Sequence, residues 1–521
     1  MLVFLLLFLD VKLLVKVLAI VFIYALRFKL KFGFRSNNSR LPLFYPLIIS
    51  IGIINYFIYA GFYHLNYTIT FITGIFFWIL AILAIHQVKL SVETHEPVVV
   101  HNTLEIFFTI NAICSILTLL IIIFKTGAIN PYLYQGEYQK YFIGTGDYIK
   151  GVSFDTSTTN AIINSFGLIY FLSRKKPLMV LLCMTIVLLT GSNTANILLS
   201  AVLVFIFLFQ SDQLQKSIVL ICFFLLIVFT TKVSPQNNNY LVKSINHVFY
   251  GSSTYKDSDK STLEFSSLPD SVLTNDERRQ KTALLYLDSV SNVRSSEMAS
   301  ADAHQIHLVT LALPKDDING PMFQHKSFIT PVEQNMFRFI KQYSAFLPIS
   351  SDSTFQINSP GKILSWKQTF AFLKAHPSKM IAGAGIGNFS SKLAFKTSGI
   401  NIAGSWPSKL KYTSKPFLRN HLDLYLYYFS KSDGFHSTIN SPASVYDQLI
   451  GEYGIVGLLA YFLFYLRFFA KKITLRSFGL PLVFLLSGIF FFDYWFEQLS
   501  IVILFELFLF LNIKETDDTY E

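Results

Sequence analysis

The chain has 521 residues, 52% of them hydrophobic and only 14% charged, with a mean hydropathy of +0.47. A soluble globular domain carries nearer a quarter of charged residues, so composition excludes that class; 53 phenylalanines suit helices that face lipid. In such a chain the net charge of +11 reads as orientation signals and anionic partners such as membrane lipids, and no nucleic-acid-binding motif accompanies it.

The opening run MLVFLLLFL is apolar from its first residue, and Asp10, Lys12 and Lys16 interrupt the apolar residues after it. It lacks the basic start and small-residue cleavage site of a secretory signal. Residues 2–26 read as one imperfect membrane helix, with two short re-entrant pieces as the alternative. A span needs about 20 apolar residues. Further spans are expected at 43–62, 67–88, 103–124, 155–173, 177–191, 194–210, 216–231, 446–470, 478–495 and 497–513. The expected fold is all-α and integral to a membrane, with roughly eleven to twelve transmembrane helices. Cys114, Cys183 and Cys222 all lie in apolar runs, so no disulfide is expected in the polar segments, and no Cys/His metal cluster is present.

Basic residues in short loops set orientation. Arg27, Lys29, Lys31, Arg35 and Arg40 follow the first span, Arg174, Lys175 and Lys176 the fifth, and Lys471, Lys472 and Arg476 the ninth. Counting spans places all three clusters on one side, read as cytoplasmic. The chain then divides into membrane helices at 1–231, an extracytoplasmic region at 232–445, and membrane helices with a short tail at 446–521. Residues 232–445 are too long for a mere connector. Within them GKILSWKQTFAFLKAHP carries Ile363, Trp366, Phe370 and Leu373 at helical spacing, with Ser365, Lys367, Gln368 and Lys374 between them. That pattern predicts an amphipathic helix at the membrane surface, stopped by Pro377.

Several residues of this region could carry chemistry. His421 and His436 lie near where the chain re-enters the membrane; each reads either as a general base or as a solvated loop histidine. Lys362 and Arg419 could bind phosphate or simply meet solvent. Glu452 opens the ninth span and is either functional or an interfacial acid. Gly383, Gly385 and Gly387 read as a tight turn, with a backbone surface for a diphosphate or sugar as the other possibility.

Taken in order, these segments resemble the O-antigen ligase and polymerase family over roughly residues 180–470. The matching features are a small-residue turn at Gly191–Ser192–Asn193 and a basic residue, Lys362, four before Trp366. His376–Pro377, the run GAGIGNF at 383–389, and Gln448, Glu452, Gly454 and Gly457 complete the set. The chain departs from the family pattern at Asn193 and Lys362, where the family has arginine, and at Ala443, where a histidine is expected about nine residues before Glu452. His436 and Asn440 are the nearest polar residues upstream.

The resemblance implies a bacterial inner-membrane glycosyltransferase that needs no metal or cofactor, its long loop facing the periplasm. The donor would be a glycan on undecaprenyl diphosphate, and the acceptor a sugar hydroxyl of lipid A-core or of another lipid-linked glycan. His436, or else His421, would take the acceptor proton. Lys362 and Arg419 would meet the diphosphate, and Ser192, Asn440 and Glu452 would complete the substrate-binding set. A polysaccharide transporter or flippase, or an inactive scaffold relative, are the other readings.

Overall fold

The structure, a computed structural model, describes residues 13–26, 41–59, 61–133, 146–235, 331–343, 360–400, 411–429, 438–475 and 477–520. All of them belong to one compact unit. Among them no strand occurs; the expected spans from residue 43 onward each overlap a helix, four of them long and apolar enough to cross a membrane, and residues 2–12 of the first span lie outside the described residues. The first eight are α1 (Leu13–Leu26), α2 (Phe44–Ile58), α3 (Leu65–Thr94), α4 (Pro97–Thr126), α5 (Ser157–Ser173), α6 (Pro177–Leu189), α7 (Asn193–Phe209) and α8 (Gln213–Val228). The polar region contributes α9 (Pro331–Tyr343), α10 (Gly361–Ala375), α11 (Pro377–Ala382), α12 (Lys392–Thr397) and α13 (Asp423–Phe429). A π turn, Leu418–Leu422, leads into α13. The chain closes with α14 (Val445–Ala470), α15 (Gly479–Ile489) and α16 (Leu499–Tyr520).

Local chemistry sets many of these boundaries. Proline opens α4 and α6, where a missing N–H costs nothing. Thr156, Ser192 and Ser444 cap α5, α7 and α14, and Asp212 forms a capping box with Gln215 at α8. Gly127 takes a left-handed conformation to end α4. The helices α3, α4, α14 and the stretch Gln213–Val233 are long and apolar enough to cross a membrane. The apolar helices α2, α6, α7 and α15 are shorter.

The centre of the bundle is α16. Every residue from Leu499 to Ile513 is buried, and the helix packs on α3, α5 and α15. A helix apolar on all sides belongs inside a bundle. Its one mid-helix acid, Glu506, accepts hydrogen bonds from Tyr45 of α2 and, at 2.9 Å, from Tyr465 of α14. The carboxylate thereby fastens three helices where no water can serve it.

Polar contacts sort the connections into two ends. At one end Arg174 pairs with Glu515, Lys175 with Asp212 at 2.6 Å, and Lys176 with Glu105 at 3.0 Å. Lys514 donates to the carbonyls of Val92 and His95, and Gln210 to that of Leu475 at 2.6 Å. These contacts tie together the α3–α4, α5–α6, α7–α8 and α14–α15 connections, the end at which Arg174–Lys176 and Lys471–Lys472 lie; the cluster from Arg27 to Arg40 and Arg476 lie outside the described residues. At the other end Asn130 donates to Val233, Asn66 to Lys411, and Thr194 bonds Thr438. The described candidate residues Ser192, Lys362 and Asn440 lie on segments joined there.

The expected surface helix is α10, but its faces divide differently from the sequence pattern. Ile363 and Phe370 are exposed as expected, whereas Leu373 is buried. Ser365, Gln368 and Thr369 point inward, since α10 packs on α14 and α13 along a polar seam.

Candidate functional site

The run GAGIGNF is a structural wedge. Gly383, Gly385 and Gly387 all have positive φ, between 72° and 93°, which only glycine adopts freely. Their backbone lies directly on α14: Ala384 N–H donates to Gly451 O at 2.8 Å and Gly385 N–H to Glu452 O at 3.0 Å. A side chain at Gly383 would run into the Glu452 backbone. Ile386 inserts against Gly52 of α2 and Gly74 of α3. With its amides taken up by α14, this turn offers no anion cradle, and the tight-turn reading is the one the geometry fits.

Glu452 completes the wedge. It is buried, and its Oε1 accepts from Gly387 N–H at 2.8 Å and Ser391 Oγ at 2.7 Å. It holds the glycine loop and does not face solvent. On the opposite side of the wedge, α14 breaks helical geometry at Gly454 (φ 70°, ψ −169°), which lets the carbonyl of Ile381 approach.

The start of α10 brings two further candidates together. Lys362 N–H donates to Ile439 O at 2.8 Å, and Gly361 N–H to Asn440 Oδ1 at 3.2 Å. The Lys362 ammonium donates to the carbonyl of Ala443 and lies 6.0 Å from the Phe492 ring centre. Its side chain keeps some surface while the ammonium sits deep among protein atoms. Burial there pushes its pKa down, against the opposing pull of the Asp447 and Asp493 carboxylates. Ser192 caps α7 two residues before Thr194, whose hydroxyl meets Thr438 at 3.0 Å, so the 190–193 turn joins the same surface. Arg419 is exposed on the π turn, and His436 lies outside the described residues.

His421 is fully buried, not solvated. Thr369 Oγ1 donates to Asp447 Oδ1 at 2.9 Å and so accepts from His421 Nε2–H at 3.0 Å. That leaves Nδ1 to accept from Ser390 Oγ at 2.6 Å, and Ser390 in turn accepts from the Tyr494 hydroxyl at 2.8 Å. The tautomer follows from this network. Ser365 Oγ donates to the other Asp447 oxygen at 3.1 Å. Every donor in the chain Tyr494–Ser390–His421–Thr369–Asp447 thus has an acceptor, and all five side chains are buried. Burial pushes the His421 pKa down to about 3, and the Lys362 charge adds to the shift. His421 is a neutral relay inside the protein, with both ring nitrogens occupied.

Thr369, Ser390 and Tyr494 do not stand out in the sequence, and Asp447 is not among its candidates. Asp447 had a readable signal, an acid one turn into a membrane helix. The others are ordinary hydroxyls made significant by contacts with residues far along the chain. Among the described residues no group of three His, Cys, Asp or Glu side chains could hold a metal ion.

Beside Lys362 lies an apolar face. Trp366 stacks on Phe370 with ring centroids 5.8 Å apart and meets Phe491 at 6.4 Å, and Ile363, Phe370 and Phe491 are exposed. A cation next to exposed aromatic surface suits an amphiphile with an anionic head. Comparisons with protein-family models, curated proteins and solved structures returned no match.

Proposed function

We propose that the chain is a membrane glycosyltransferase of the O-antigen ligase or polymerase type. It moves a glycan from undecaprenyl diphosphate to an acceptor sugar hydroxyl, on lipid A-core or on another lipid-linked glycan. One observation carries this reading. Segments spread from Ser192 to Glu452, selected by their resemblance to that family, meet at one end of the bundle. Lys362 and Arg419 supply positive charge where a leaving diphosphate gains negative charge. The exposed face of Ile363, Phe370 and Phe491 is apolar surface for the lipid tail. On this reading the protein sits in the bacterial inner membrane with the site end toward the periplasm.

The test is deletion of the gene in the native organism, with the wild-type chain supplied back as control. Loss of long glycan from lipid A-core, with polymer retained on the carrier lipid, identifies a ligase. A single repeat on the core identifies a polymerase. Unchanged surface glycan would overturn the proposal.

A further inference from the structure

The end of α10 and the short α11 form a second basic surface, at the far end of α10 from Lys362. From Pro360 to Phe389 the chain carries four lysines and no acid. The neighbouring elements offer no free carboxylate. Residues 44–80, which hold α2 and the first half of α3, contain no acid, and Asp447 and Glu452 of α14 are buried. Lys374 is exposed and Lys379 half-buried, and among the described residues neither has an ion pair. Rings place the Lys379 ammonium instead, 5.3 Å from the centre of Tyr59 and 5.5 Å from that of Phe372. Aromatic faces hold a cation without neutralising it, so its attraction for an anion remains.

The surroundings put this surface at the edge of the lipid. α11 is wedged between α2 and α14: Asn55 donates to the Ala382 carbonyl, and the Ile381 carbonyl lies against Gly454. Met380 and Ile381 are exposed, as are Phe57 on α2 and Ile455 on α14. Tyr59 and Tyr63 stand where α2 gives way to α3, and tyrosines at helix ends mark the headgroup level of a bilayer. A cation at that level, beside open apolar surface, matches an amphiphile with an anionic head.

We propose that Lys379, with Lys374, forms a binding site for an anionic phospholipid of the surrounding bilayer. The headgroup phosphate sits against the Lys379 ammonium, and the acyl chains run along Met380 and Ile381. A zwitterionic lipid offers the same phosphate and chains but no net charge, so it binds less tightly. The occupant is a bilayer lipid and not a substrate, so the site stands whether or not the chain transfers glycan.

Native mass spectrometry of the full chain, released from detergent with equal amounts of phosphatidylglycerol and phosphatidylcholine of the same acyl chains, tests this. Wild type should retain more phosphatidylglycerol. Lys379→Gln should lower that retention about fivefold, the usual scale for one basic residue beside an anionic membrane, and adding Lys374→Gln should lower it further. Phosphatidylcholine retention should stay unchanged in both variants. Equal retention of the two lipids by wild type, or unchanged phosphatidylglycerol retention in Lys379→Gln, would overturn the site. Should that variant fail to fold, wild type alone decides. In nanodiscs, replacing part of the phosphatidylcholine by phosphatidylglycerol should protect Lys379 from an amine-reactive reagent, and equal modification in the two bilayers overturns the proposal.

Discussion

Burial gives Lys362 and His421 different parts to play. Lys362 is half-buried at the start of α10 with its ammonium on the Ala443 carbonyl, while the imidazole is locked between Thr369 and Ser390. Native His421 stays neutral down to about pH 3, whereas an unfolded histidine protonates near 6.5. Between those values the unfolded state binds the extra proton, so stability is full above about pH 6.5 and falls as pH drops through the window. The melting temperature in detergent should therefore fall more steeply from about pH 6.5 to 4.5 in wild type than in His421→Ala. Equal slopes would mean the ring is not held neutral. The same substitution leaves the buried Ser390 hydroxyl without its acceptor and a cavity where the ring stood, and should cost about 2–4 kcal/mol at neutral pH, read as a lower midpoint of unfolding. Lys362 and Glu452 are legible in the sequence as candidates. The inward turn of His421 is not, because the hydroxyls that hold it lie 52 and 31 residues away.

Among the elements, the glycine-rich turn and the kinked α14 depend on one another. Gly454 lies at φ +70° with the Ile381 carbonyl where a side chain would go. Gly127 has nearly the same φ, +66°, but open space around it. Gly127→Ala should thus cost about 1 kcal/mol, the conformational penalty alone. Gly454→Ala adds a collision with backbone and should cost about 2 kcal/mol or more. Thermal unfolding in detergent compares the two; equal losses would mean that α11 does not press on α14 as described. Helix positions are legible here because apolar runs are long and proline or capping residues bound them. Which side of each helix meets protein is not, because lipid and a packed interior accept the same apolar side chains. The buried centre α16 and the inward polar face of α10 escape a reading by periodicity for that reason.

At the scale of the whole molecule, the bundle separates a salt-bridged end from an end built of glycine turns, hydroxyls and aromatic surface. The proposed orientation puts the first end, with Arg174, Lys175 and Lys176, at the anionic face of the cytoplasmic leaflet. In intact spheroplasts an impermeant thiol reagent should label Lys411→Cys and leave Lys175→Cys unlabelled; the reverse pattern would invert the orientation. Transfer at the far end is tested most directly by the purified chain in a bilayer, supplied with lipid-linked glycan and an acceptor. Transfer predicts that labelled glycan appears on the acceptor as undecaprenyl diphosphate is released in equal amount. Donor that stays intact beside a folded chain and a competent acceptor would contradict it.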